Sequence, residues 1–230
     1  MKVLRIGLAA LTILVAGTTS ASAATLRADW RMSERSGATV MRDSSGHHIN
    51  GSIGSHVMVG GGTYRWPFRP PTEPPAEPER IVRVGHRDVL NPGTGYYAVE
   101  FRYKTTQAFG NLIQKGQAGA SGGYFKIENP NGVIRCAFRG RTKDGTWGGV
   151  VAKSPAVLSD GSFHTIRCER RRTSVKMYVD GALRVTRHGH TGKIVNARPI
   201  TIGGKLNCDN VNKTCDYFTG TIDYVRIYTP

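Results

Sequence analysis

Acid is scarce in this chain. Its 230 residues hold 16 Asp and Glu against 32 Lys and Arg, a formal charge of +16. The acidic residues are also dispersed: the only two separated by a single residue are Glu77 and Glu79, and they stand among prolines. A glycosidase built on one strand sets its acid and nucleophile on the same face, flanking the scissile bond, as E-x-D-x-x-E. No strand-like segment here carries that set. A serine nucleophile elbow, an H-E-x-x-H zinc pair, and the Q-x-H and Y-x-K-x-G-x-Y runs of polysaccharide lyases are missing too. These gaps argue against an enzyme. Sustained helical periodicity is absent after the first residues, which excludes a helical bundle.

Long apolar runs are equally rare. The one from Leu8 to Ala16 follows the basic start Met1-Lys2-Val3-Leu4-Arg5 and precedes Ala21-Ser22-Ala23. That order is a secretory signal peptide over residues 1–23, cleaved after Ala23, because the run is too short to span a bilayer. It leaves residues 24–230 as one domain and, without Lys2 and Arg5, a charge of +14. Such a surplus either keeps an exported protein soluble by self-repulsion or draws it to a polyanion outside the cell, such as an acidic polysaccharide or a wall polymer. Nucleic acid is a poorer match, since the basic residues are spread through strands without an aromatic-flanked basic patch.

Four cysteines in an exported chain imply two disulfides. Cys208 and Cys215 share one loop, LNCDNVNKTCDYF, so a local bridge is the simplest choice. It leaves Cys136 with Cys168. Strand parity agrees, since Cys136 alternates with Ile134 and Phe138, and Cys168 with Ile166. Asn212-Lys213-Thr214 fits a glycosylation acceptor.

What the chain does have is short strands. SFHTIRCERRRTSVKMYVDGALRVTRH, residues 162–188, holds three apolar alternations and the dipeptide Asp180-Gly181, a type I′ hairpin turn. The opposite face takes Arg167, Lys176 and Arg184, which predicts a basic surface. TLRADWRM near the start, YYAVEFRYK in the middle and residues 219–228 at the end alternate in the same way. More than ten such segments predict an all-β sandwich of two antiparallel sheets.

Residues 60–80 break the pattern with six of the eleven prolines. This predicts an irregular loop. Tyr64, Trp66 and Phe68 beside Arg65 and Arg69 either pack that loop or form a sugar-stacking platform. His188 and His190 either share a transition metal or are solvated loop residues.

ADWRMSERSG with DSSGHHINGSI, the strand YAVEFRYK, the run DGSFHTIRCERRRTSVKMYVDG and the ending FTGTIDYVRIY resemble the laminin-G-like, concanavalin A-like jelly-roll domains of secreted bacterial proteins. The resemblance implies adjacent first and last strands, a lectin-like or adhesive role, and a structural calcium on Asp43 and Asp223. Asp223 has the parity of Val225 and Ile227, so its carboxylate is expected to face the core and to need a cation. Alternatively Asp43 caps its own turn and Asp223 pairs with Arg226 or Arg42. The expectation is a secreted, non-catalytic carbohydrate-binding module for an acidic extracellular glycan. The alternatives are a glycan-active hydrolase or lyase on the same fold, and a structural envelope protein.

Overall fold

A computed structural model describes residues 24–68, 79–206 and 215–230. The signal-peptide segment, Arg69, Cys208 and Asn212 lie outside the described residues. The others form two antiparallel sheets packed face to face, the jelly-roll sandwich the alternation predicts. The last strand anchors the first sheet. β16 (Gly220–Thr229) pairs along one edge with β7 (Tyr97–Lys104), and its other edge is divided between β5 (Thr63–Trp66) and β1 (Thr25–Trp30). The chain's first and last strands are therefore neighbours. β4 (Met58–Gly60) extends this sheet at one end; β12 (His164–Arg171), β13 (Ser174–Val179) and β14 (Ala182–His188) extend it at the other. The second sheet runs β11 (Trp147–Lys153), β10 (Arg135–Arg141), β9 (Tyr124–Glu128), β8 (Asn111–Lys115), β15 (Ile200–Ile202), β6 (Val82–Val84), β3 (Gly51–Ile53) and β2 (Val40–Met41).

Period-two burial explains the core. Tyr97 of β7 packs on Phe125 of β9 and Phe138 of β10, with ring centroids 5.4 and 6.5 Å away, and Val99, Phe101 and Tyr103 follow it along β7 at alternate positions, all fully buried. Cys136 of β10 bonds to Cys168 of β12, so the bridge joins one sheet to the other through the interior. Cys215 is also disulfide-bonded. Asp180 and Gly181 both have positive φ, 51° and 78°, and link the paired Val179 and Ala182 as a type I′ turn requires.

That turn is clamped by a histidine. His164 Nδ1 lies 2.9 Å from Asp180 Oδ2 and its Nε2 lies 3.2 Å from Asp160 Oδ1. Burial opposes the imidazolium, but the hydrogen bonds and charges of the two aspartates outweigh it and raise the pKa above 6.5. A raised folded-state pKa stabilises fully below the unfolded value and is lost as pH rises through the folded value. The stabilisation should accordingly be full below the ordinary histidine value of 6.5, and the difference in melting temperature between the wild type and His164→Gln should shrink as pH rises through the raised folded-state value. A pH-independent difference would show that the clamp is not protonated.

Two expectations need correction. The proline-rich excursion does not begin at residue 60, because residues 63–66 are β5, hydrogen-bonded between β4 and β16. The parity of Asp223 is reset by a bulge: Ile222 pairs with Tyr103 and Tyr224 with Arg102, which leaves Asp223 as the inserted residue. Ile222 and Val225 both face the core. Asp223 faces outward.

Candidate functional site

Outward on the first sheet, several arginines are ion-paired, while Lys176 and Arg184 have no carboxylate within salt-bridge distance among the described residues. Asp29 receives Arg226 at 2.9 Å and Arg31 at 2.8 Å, Glu100 receives Arg167 at 3.1 Å, and Asp223 receives Arg102 at 2.7 Å. Arg167 and Arg226 also lie over the rings of Tyr228 and Tyr224. Arg167 is thus not part of an open basic surface as the alternation suggests. Its partners come from neighbouring strands, which a single-strand pattern does not reveal.

One group of cations without carboxylate partners among the described residues stands at the mouth of the sandwich. The tip between β10 and β11 is held by Thr142, whose Oγ1 donates to Asp144 and whose amide bonds Thr146 O at 2.9 Å. Hydrogen bonds from Thr142 and Thr146 hold the Asp144 carboxyl below its ordinary range. Beside the tip runs the segment 190–193, tied to β10 by Lys193 N to Arg141 O at 2.6 Å and Arg141 N to Lys193 O at 3.1 Å. The contact is so close that a Cβ on Gly148 would fall within 2.4 Å of His190 O, and one on Gly140 within 2.2 Å of Lys193 O. Only glycine fits either position.

Beneath these loops stands Arg170, 1% exposed and without a carboxylate. Its Nε donates to Thr191 Oγ1 at 2.7 Å; Nη1 donates to the carbonyls of Pro92, Gly93 and Gly95 at 2.9, 3.2 and 3.1 Å; Nη2 donates to Gly192 O. Burial lowers its pKa to about 10, so it stays charged at neutral pH. One guanidinium therefore gathers loops 92–95 and 191–192 into a fixed rim.

The rim encloses a cleft of about 620 Å³. Arg141, Lys143, Arg172 and Lys193 line it with His190, and Asp144 is its one carboxylate. None of the four permanent cations has a carboxylate partner among the described residues. The cleft is therefore positive, with threonine and backbone groups to orient an anionic ligand. No local pattern joins these residues, because they come from three separate connections, β10–β11, β12–β13 and β14–β15. The faint signals were the R-T-K-D-G hairpin tip and the R-R-R run at 170–172.

The residues singled out as a sugar platform are not together on the surface. Tyr64 and Trp66 belong to the core: Trp66 is 2% exposed and donates to Arg80 O at 3.1 Å, and Tyr64 Oη donates to Glu34 Oε2 at 2.6 Å. Their parity on β5 turns them inward while Arg65 turns out, where it touches Met58 Sδ. Phe68, 60% exposed, is the one aromatic of the three left on the surface.

Asp43 and Asp223 do not fit a calcium shell. Asp43 Oδ1 accepts the amides of Asp29 and Ser45, and Oδ2 accepts the Ile49 amide and the Ser45 hydroxyl. Burial acts to raise the Asp43 pKa, but these donors outweigh it and the carboxyl lies below its usual range. A carboxylate filled with N–H and O–H donors caps its turn and has no lone pair left for a cation. Asp223 is taken by Arg102. His190 lines the cleft while His188 ends β14 opposite Ser174. No group of three or more metal-ligating side chains occurs among the described residues.

Structural similarity agrees with this architecture. The binding domain of Paraclostridial Mosquitocidal Protein 1 superposes with a TM-score of 0.62 at 15% identity, over 89% of this chain and 48% of that one. The receptor binding domain of botulinum neurotoxin mosaic serotype C/D gives 0.60 at 13%, over 89% and 47%. The botulinum neurotoxin serotype D binding domain gives 0.57 at 13%, over 89% and 46%. The chain spans about half the length of these structures, and at such identities the likeness is one of fold. No curated protein matches it in sequence. The laminin-G-like profile described as the concanavalin A-like lectin/glucanases superfamily matches residues 82–230, which hold every side chain of the basic cleft, and the chain belongs to that family.

Proposed function

We propose that this protein is a secreted, non-catalytic binding module for an acidic extracellular carbohydrate, held in the cleft between the β10–β11 tip and the 190–193 segment. The observation that carries this reading is four cations, none with a carboxylate partner among the described residues, gathered around one open cleft with a single carboxylate in its lining. A sheet-to-sheet disulfide suits an oxidising compartment. Among the described residues no helix is long and apolar enough to cross a membrane. The toxin domains of like fold bear binding-domain names, which supports a binding role without naming a ligand.

Calorimetry with heparin and with polygalacturonate tests the reading. Binding should weaken steeply with added salt, and the double variant Lys143→Ala/Lys193→Ala should lose about tenfold in affinity at low ionic strength and show a flatter salt dependence. Equal binding by the variant would overturn the cleft as the site.

The alternative of a glycan-active enzyme has one observation behind it. Glu128 and Asp216 both contact Lys126 Nζ, at 2.5 and 3.5 Å, beside a cavity on the outer face of the second sheet. Each has a further cationic partner, Arg135 at 3.2 Å for Glu128 and Lys205 at 2.7 Å for Asp216. That is the arrangement of a structural ion-pair chain. Release of reducing ends from a polysaccharide panel, abolished by Glu128→Gln, would establish the enzyme instead.

A further inference from the structure

Three tryptophans occur in the chain, and two have structural work. Trp30 and Trp66 are buried and donate to backbone carbonyls. Trp147 is different. At the start of β11 it pairs with Arg141 across the hairpin and is 37% exposed on the outer face of the second sheet. The Arg141 guanidinium lies 4.2 Å and that of Arg139 5.6 Å from the indole. Neither arginine has a carboxylate partner among the described residues. Arg139 reaches across because its register partner is Gly149, where even a Cβ would touch the arginine stem at 3.4 Å.

The same face continues into a cavity of about 300 Å³, near the lower bound for small-ligand sites. Its floor is Ala137 and Val151, which pair with each other, and its walls include Tyr124, Lys126 and Arg135. Trp147 lies four residues along β11 from Val151, about 14 Å at strand rise. An aromatic ring, the two guanidiniums that lie over it without a carboxylate partner among the described residues, and a polar trough thus follow one another along a single hairpin face.

We propose that this face is a second carbohydrate-contact surface, with Trp147 stacking on a sugar ring and Arg139 and Arg141 binding the carboxylate or sulfate that the sugar carries. The stacking surface selects a ring, and the guanidiniums select its charge. The spacing from Trp147 to the trough suits several consecutive units of a chain. This site rests on the same class of ligand as the cleft and shares Arg141 with it, whereas Trp147, Arg139 and the trough stand outside the cleft lining.

Fluorescence titration of the full chain tests it, since Trp147 is the most exposed of the three indoles. The probes are oligogalacturonate and heparin-derived hexasaccharides, with polyphosphate as anion without a ring and cellohexaose as ring without charge. At least one acidic hexasaccharide should change the emission. Trp147→Ala should weaken it about tenfold, Trp147→Phe should restore most of the affinity, and polyphosphate binding should be unchanged in both. Unchanged hexasaccharide affinity in Trp147→Ala, or an equal loss for polyphosphate, would overturn the proposal. The outcomes separate the two sites: if only the cleft is wrong, Lys143→Ala/Lys193→Ala binds as wild type while Trp147→Ala does not. The reverse pattern leaves the cleft and removes this surface. Wild-type protein that binds none of the acidic probes removes both.

Discussion

Replacing Arg170 by Met is expected to destabilise the protein by about 3–5 kcal/mol, as removing a buried charged partner does. The side chain satisfies four backbone carbonyls and a hydroxyl from two loops. Methionine fills the volume but removes the donor from the buried Pro92 carbonyl and Thr191 hydroxyl and from the half-buried Gly192 carbonyl, while Gly93 O keeps the Ile194 amide; each buried acceptor left without a donor carries a desolvation penalty of about 1–3 kcal/mol. For a chain of this length the melting temperature should drop by roughly 10 °C. Because Thr94, His190, Gly192 and Lys193 line the cleft on these same loops, affinity for acidic glycan should fall even at temperatures where the variant is folded. Arg170→Lys, with three donors for five acceptors, should recover only part of the loss. A melting temperature within a degree or two of wild type would mean that water replaces the guanidinium and that the rim is not built on it.

The double variant Cys136→Ala/Cys168→Ala should lose about 4 kcal/mol. The bridge closes a loop of sequence separation 32 and joins β10 to β12 across the core. Without it the unfolded chain gains loop entropy and the two sheets are joined there by packing alone. The change should appear as a lower urea midpoint with an equal or larger m-value. Alanine at both positions is preferable to a reductant, because Cys215 is also disulfide-bonded. Unchanged stability would place the bridge in a region already ordered in the denatured chain.

Strand parity shows where sequence reading succeeds and where it stops. The pairing of Cys136 with Cys168, left over by a local Cys208–Cys215 bridge and supported by alternation with Ile134, Phe138 and Ile166, is the bond in the structure. Asp223 was placed inward by the same rule and is outward, because one inserted residue in β16 shifts the phase. Tyr64 and Trp66 were read as part of a proline-rich loop. The prolines start only at 67, and the T-Y-R-W alternation before them supplies a strand whose pairing with β16 no local pattern announces. Asp43 was linked to calcium by resemblance, whereas the simpler reading, a capped DSSG turn, accounts for all four of its hydrogen bonds.

By itself the sequence determined the all-β class, the DG hairpin, the sheet-to-sheet disulfide and the family, because each depends on local alternation or on a short motif. The two surfaces proposed for binding were decided only by tertiary structure. Arg141 and Lys143 are brought to Lys193 by the backbone hydrogen bonds that tie β10 to the segment 190–193, which Arg170 anchors through Thr191 and Gly192, and Trp147 is distinguished from Trp30 and Trp66 only by the side of the sheet it faces. Charge and aromaticity can be counted along a chain, but which of them cancel and which stay open to solvent depends on neighbours distant in sequence.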